Sequence, residues 1–322
     1  MSIGDALRGR LLDPRTFITL YGTTPPRADA PPARVTAAAT KLAERVIPLG
    51  LDGLVVYDVQ DEHDRTDVPR PFPFLPTLEP RAYAQRLQLL TGVQALTYKV
   101  VVNFSEARWL TWLDETKADY GINYLSLVGS STPNPAPDTL PVDRALQLAA
   151  AQIGGPTLGG VVIAERHSPA YDESQRLLHK AERGCRYFIS QVVYDPAPTL
   201  KLLSDYVAAC AAAEVAPRRI ILTFSPCGRP QTLNFIKWLG VTLAPATEAA
   251  LLSDPAPFRR SIQICCTILR TILDQGFAER LPLGVNIESV SIHKDEIEAS
   301  IELVHALREV ASAYGLPASG GF

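Results

Sequence analysis

Several features that would fix a chemistry early are missing from this chain. Its five cysteines (Cys185, Cys210, Cys227, Cys265 and Cys266) form no C-x-x-C pair, so neither a zinc site nor a disulfide framework is suggested. The adjacent Cys265 and Cys266 fall in an apolar helical stretch and read as small buried hydrophobes. Neither sign of charge dominates: 31 basic against 34 acidic residues leave a net −3, which gives no reason to expect nucleic acid or an anionic membrane as partner. The opening MSIGDALRGRLLDPR lacks the apolar core of a signal peptide. The most apolar window, 145–164, is broken by Gly154, Gly155, Pro156, Gly159 and Gly160, too often for a membrane span. A reduced, cytoplasmic setting is the expectation. No P-loop, G-x-S-x-G elbow, H-E-x-x-H, kinase set or G-x-G-x-x-G is present, which sets aside P-loop phosphoryl transfer, acyl transfer by a serine elbow and a dinucleotide-binding open sheet.

What the 322 residues do contain is 47% hydrophobic residues, arranged as short β-rich runs separated by helical patterns. The runs are Thr16 to Tyr21, Gly53 to Asp58, Ala95 to Val102, Tyr124 to Gly129, Gly160 to Ala164, Tyr187 to Tyr194, Arg219 to Phe224 and Val285 to Val290. Most are almost uninterrupted apolar stretches, as expected of parallel strands covered on both faces. Helical patterns lie between them, with Ser105 as an N-cap, Gly184 as a helix-ending glycine, and room for an extra helix near Ala246 to Leu252. Eight strands with intervening helices spell a single (β/α)₈ barrel over residues 1–322, with 1–15 as an N-terminal extension. Proline-rich loops after strands two and four, Gln60 to Pro80 and Ser130 to Pro141, then project from the C-terminal face, where barrels build their sites.

Strand ends therefore supply the candidate chemistry. Gln191 interrupts an apolar strand with a donor and an acceptor, which either meet a heterocycle edge or bond a neighbouring strand. Glu165, Arg166 and His167 group an acid, a cation and an imidazole after strand five, suited to anion or cofactor binding or to proton transfer; an ordinary solvated ion pair is the alternative. Asp58, Asp61, Glu62, His63 and Asp64 form an acidic cluster that matches no metal-ligand spacing and reads as a solvated loop. Trp109 and Trp112, three apart on one helix, read as core.

The segment Lys180-Ala-Glu-Arg-Gly-Cys-Arg-Tyr-Phe-Ile-Ser-Gln191 resembles the K-x-x-x-G-A-x-x-x-I-T-Q stretch of the methylenetetrahydrofolate reductases, with the same lysine-to-glutamine spacing. Val162 to Pro169 resembles that family's V-A-x-Y-P-E-x-H-P. Tyr124 to Ser130 resembles its L-A-L-R-G-D, and Thr16 to Arg27 its F-E-F-F-P-P opening. The resemblance implies a flavin-dependent TIM barrel that passes a hydride from NAD(P)H through FAD to a small-molecule folate carrying a one-carbon unit. It assigns Gln191 to substrate, and Tyr98, Gly129, Ser130, His167, Glu173 and Lys180 to the cofactor. It also requires Gln191 and Lys180 to face one shared cavity at the barrel mouth. A homo-oligomer is compatible with it. The departures are specific: the family's opening glutamate, which protonates the folate, aligns with Gly22, its R-G-D arginine and aspartate with Val128 and Ser130, and its strand-three histidine with Tyr98. Asp58, Glu165 and Glu288 are the candidate replacement acids, each needing a raised pKa. Two alternatives accompany this reading: a flavin-free folate-binding barrel with other one-carbon chemistry, and a non-catalytic homologue.

Overall fold

The eight apolar runs pair side by side, each parallel to the next, and the last closes on the first. A computed structural model describes residues 3–62, 66–129 and 139–316. The strands are β1 (Ile18–Thr23), β2 (Gly53–Val56), β3 (Ala95–Val100), β4 (Tyr124–Val128), β5 (Thr157–Val162), β6 (Cys185–Val192), β7 (Arg219–Phe224) and β8 (Leu283–Glu288). Around them run α1 (Ile3–Leu12), α2 (Pro32–Val46), α3 (Pro80–Thr91), α4 (Glu106–Ala118), α5 (Val142–Ala150), α6 (Glu173–Glu182) and α7 (Pro196–Ala212). The chain continues with α8 (Pro230–Trp238), α9 (Pro245–Ser253), α10 (Pro257–Leu273), α11 (Phe277–Arg280) and α12 (Lys294–Ala313). The expected TIM barrel is thus the fold. Ser105 caps α4 by accepting from the Arg108 amide, and Asp172 caps α6 through the Ser174 and Gln175 amides.

Alternation along the strands creates two apolar cores. Phe188, Leu125, Ile220 and Val285 face the helices, where Trp109 and Trp112 stack on each other at 5.1 Å. Ile18, Leu20, Val55, Leu96, Tyr124, Tyr187 and Ile221 fill the barrel interior. Gly159 is required by that filling, because a Cβ there would stand 2.2 Å from the Tyr187 ring. All five cysteines are buried thiols.

The first helix, ahead of the eight strand–helix units, takes part in the core. Leu7 and Leu11 of α1 join the interior cluster, so the helix closes the barrel at its N-terminal end. Arg219, at the start of β7 and 1% exposed, holds it there by donating to the carbonyls of Leu11 at 2.9 Å and Thr16 at 2.6 Å, and also to that of Leu283. Among the described residues no helix is long and apolar enough to cross a membrane.

Candidate functional site

With its base closed, the barrel opens at the C-terminal mouth, which the last inward residue of each strand builds. Gly22 on β1 and Glu288 on β8 are register partners there. Tyr57, just past β2, packs on the interior cluster together with Val128 and Val161. Asn286 lies one inward step below Glu288 and is fully buried.

Tyr57 organises this side of the mouth. Its phenol oxygen accepts from Asn286 Nδ2 at 2.8 Å, and with Glu288 it lines the space that a Cβ at Gly22 would fill. Asn286 Nδ2 also reaches Thr223 Oγ1 on β7 at 3.3 Å. The Tyr57 ring meets Tyr98 edge-on, with centroids 4.9 Å apart. Burial raises the Glu288 carboxyl to about 7, opposed by the neighbouring Tyr57 hydroxyl. Burial, and then the charge of Glu288, pushes both phenols well above their usual range. The phenols therefore keep their protons, while Glu288 divides between its two forms near neutrality. Gly22 makes this arrangement fit: a Cβ there would lie 2.8 Å from Tyr57 Oη and 3.2 Å from Glu288 Cβ. The absent acid at position 22 and the Tyr57–Glu288 pair compete for the same space.

The other two candidate acids sit differently. Asp58 Oδ2 lies 3.0 Å from Lys99 Nζ and accepts from the Val100 amide at 3.0 Å, while its Oδ1 accepts from Gln60 Nε2 at 2.8 Å. With both oxygens engaged it tethers the end of β2 to β3. Glu165 lies in the turn after β5, where burial raises its pKa and the Thr242 backbone hydrogen-bonds it.

Gln191 is redirected by a bulge. The β6–β7 register shifts between Ile189 and Val192, and Ser190 Oγ fills the gap by accepting the Thr223 amide at 2.8 Å. Gln191 Nε2 then donates to the Leu239 carbonyl at 3.0 Å. Leu239 and Thr242 belong to a segment after β7 that meets the long loop after β2. Trp238 Nε1 donates to the Val68 carbonyl at 2.9 Å, Gln231 Nε2 to that of Pro71 at 3.3 Å, and Arg70 lies 5.0 Å over the Trp238 ring. The segment after β7 forms a roof over the β5–β6 side, and the loop after β2 packs against it.

The residues assigned to a flavin do not gather into an open cradle. Tyr98 is part of the interior wall. Gly129 follows β4 in ordinary space, with Val142 Cβ 3.8 Å from where its own Cβ would stand. Ser130 lies outside the described residues. The His167 side chain is 4% exposed, its Nε2 2.7 Å from Asp205 and its Nδ1 3.7 Å from Asp172. Glu173 is buried at the start of α6. Lys180 Nζ donates to the Val161 carbonyl at 2.9 Å, and burial lowers its pKa against the pull of Glu173. His167, Glu173 and Lys180 occupy the layer between β5 and the helices α6 and α7. Lys180 and Gln191 thus do not share the expected cavity: one reaches a strand carbonyl under α6, the other the roof. Among the described residues, the set as arranged does not fit a flavin. Nor do the described residues hold any group of three His, Cys, Asp or Glu able to bind a metal; His63 and Asp64 of the acidic cluster lie outside them.

Sequence reasoning missed Tyr57 and Asn286. Each reads as one more residue of a strand run, and only the pairing of β1 with β8 and β2 puts Tyr57 beside Gly22 and Asn286 in reach of Tyr57.

No protein-family model matches the chain, and no curated protein matches it. Solved structures do. An uncharacterized protein from Clostridium thermocellum, which binds two copies of 5-methyl-5,6,7,8-tetrahydrofolic acid, is 29% identical over 92% of this chain and 97% of that one, with a TM-score of 0.78. A dihydropteroate synthase from Xanthomonas albilineans is 13% identical over 95% of this chain and 98% of that one, with a TM-score of 0.47, too low a likeness to bear on function. The likeness to methylenetetrahydrofolate reductases rests on the sequence segments alone, and this chain is a (β/α)₈ barrel that shares its architecture with a folate-binding protein.

Proposed function

We propose that this chain binds a reduced folate with its pterin ring in the barrel mouth, and that Glu288 exchanges a proton with it during chemistry on the folate-borne one-carbon unit. The observation that carries the reading is a carboxyl at the mouth that burial pushes up to about 7, beside a tyrosine, Tyr57, anchored by the buried Asn286. An acid in that range suits general acid–base work at neutral pH. A one-carbon bridge between two folate nitrogens opens when one of them is protonated, because the nitrogen then leaves as a neutral amine. Glu288 supplies such a proton and can take it back. The methyltetrahydrofolate-binding neighbour supports the ligand class.

Calorimetric titration with 5-methyltetrahydrofolate at several pH values tests the reading. Binding with a pH inflection near 7 that disappears in Glu288→Gln is the expected result. Failure of the wild-type protein to bind any reduced folate would overturn it.

A flavin-dependent reductase drawing on NAD(P)H is the second reading, favoured by the Lys180–Gln191 segment. It requires His167, Glu173 and Lys180 to turn from their present partners toward FAD. A protein isolated yellow, or one that quenches added FAD fluorescence, supports it; a colourless protein that binds folate but no FAD leaves the flavin-free reading.

A further inference from the structure

The roof is fastened at both ends of α8. Leu239, just past the helix, accepts from Gln191 Nε2 at 3.0 Å. In the first turn, Thr232 Oγ1 donates to Glu296 Oε2 at 3.1 Å, and Ser291, in the loop that leaves β8, donates to the same oxygen. We propose that Glu296 is a positioning residue whose shared oxygen locks the roof to the loop leaving Glu288, so that the roof and the carboxyl at the mouth hold one relative placement. The bonds stand without the folate reading; the meaning of that placement for a ligand rests on it.

Glu296 lies in the first turn of α12 and is fully buried. A carboxyl in such a place is costly unless partners hold it, so the two hydroxyls that reach it matter. They come from different strand exits, Thr232 after β7 and Ser291 after β8. Both fall on Oε2, while Oε1 has no partner among the described residues. Ser291 is itself oriented for the task. Its Oγ accepts from the His293 amide at 3.2 Å, which leaves its proton for Glu296, and its carbonyl accepts from Ser289 Oγ at 2.8 Å. Ser289 directly follows Glu288, so the run of bonds from Glu296 leads back to the acid's neighbour. Apolar packing joins the same two elements: Val290 sits against a third core cluster built by Leu233 and Ile236 of α8, Leu251 of α9 and Val192 at the end of β6. The adjacent ion pair of Arg229 and Asp295, at 2.5 Å, is half-exposed on both sides and adds little.

The consequence is mechanical. From α8, Trp238 and Gln231 hold the loop after β2. A displacement at the exit of β8 therefore passes through Ser291 and Glu296 to Thr232, and along α8 to that loop. Because both arms end on one oxygen, cutting either arm severs the link. The role asks residue 296 only for an acceptor, since both contacts are donors. An amide oxygen can serve, though more weakly than a carboxylate; an apolar side chain of similar size cannot.

Hydrogen exchange of the ligand-free protein, read by mass spectrometry, tests the link. Thr232→Val removes one hydroxyl with little change of shape and should speed exchange of the α8 amides about tenfold. Ser291→Ala, on a different element, should speed the same α8 amides to a similar extent while β2 and β3 exchange as in the wild type. The double variant should exchange in α8 no faster than Thr232→Val alone. Glu296→Gln should stay within about threefold of the wild type, and Glu296→Leu should match Thr232→Val. An α8 that is unmoved in Ser291→Ala would overturn the proposal. So would fully additive effects in the double variant, or a Glu296→Gln variant as loose as Glu296→Leu. Circular dichroism of each variant confirms that the barrel is intact, and the two hydroxyl variants carry the test if Glu296→Leu does not fold. Calorimetry with 5-methyltetrahydrofolate on the same samples separates this role from the ligand. If Ser291→Ala loosens α8 but no sample binds the folate, the positioning role stands and the ligand class falls. If the wild type binds the folate and α8 is unmoved in Ser291→Ala, the reverse holds.

Discussion

The two sides of the barrel mouth use their polar residues in opposite ways. On the β8–β1–β2 side, Asn286 donates to Tyr57, which stands beside the ionisable carboxyl of Glu288 at the mouth. On the β5–β6 side every comparable group is tied to backbone or to a neighbouring helix: Lys180 to the Val161 carbonyl, His167 to Asp205, Gln191 to Leu239. The difference is one of strand neighbours. Gly22 leaves room beside Glu288, whereas the β5–β6 side is flanked by α6 and α7 and covered by the roof. The family resemblance is densest on the β5–β6 side, yet the carboxyl raised to about 7 lies on the other.

Several substitutions sharpen or break this contrast. The largest effect is expected from Glu288→Gln, which should lower single-turnover rates on a one-carbon folate by about 10²- to 10⁴-fold while leaving folate binding at pH 6 within a few-fold. Equal losses from Glu165→Gln would erase the contrast. Next comes the pH dependence of stability. Because the folded state raises Glu288 from 4.5 to about 7, its protonated form stabilises the fold fully below pH 4.5, and that contribution is lost as pH rises through 7. Relative to Glu288→Gln, the wild-type protein should therefore lose on the order of 2–3 kcal/mol between pH 4.5 and pH 8 in denaturant titrations. On the opposite side, Lys180→Met should cost about 2 kcal/mol in unfolding free energy, because it strips a buried cation from the neighbourhood of Glu173, and should leave folate affinity unchanged. The smallest effect is expected from Trp238→Phe, which keeps a ring beside Phe235 and Arg70 but loses the bond to Val68. About 1 kcal/mol in thermal unfolding, with the Glu288 titration unmoved, is the expected outcome.

Much of the barrel was legible because parallel strands covered on both faces announce themselves as apolar runs. β7 was read with its observed bounds, Arg219 to Phe224. β5 was read as starting at Gly160, three residues late, because Gly159 and Gly160 look like breakers. Their meaning is tertiary: Gly159 admits the ring of Tyr187 from the next strand. α8 went unread, although Pro230 just after Arg229 carries the usual first-turn signal. In the site, Glu288 was legible as an acid at a strand end. Tyr57 was not, because a tyrosine in an apolar run looks like core until strand pairing sets it beside Gly22. The partners of Lys180 and His167 were equally hidden, since a carbonyl on β5 and an aspartate on α7 have no local signature.

The Arg219 clamp also bears on the order of assembly. Its guanidinium joins carbonyls near residues 11 and 16 to the carbonyl of residue 283, so the earliest helix can lock in place only once the final strand exists. During synthesis α1 waits, its leucines unsheltered, for nearly the whole polypeptide. A deletion at the front of the chain should accordingly loosen β7 and β8, the strands made last, before it disturbs β2 or β3.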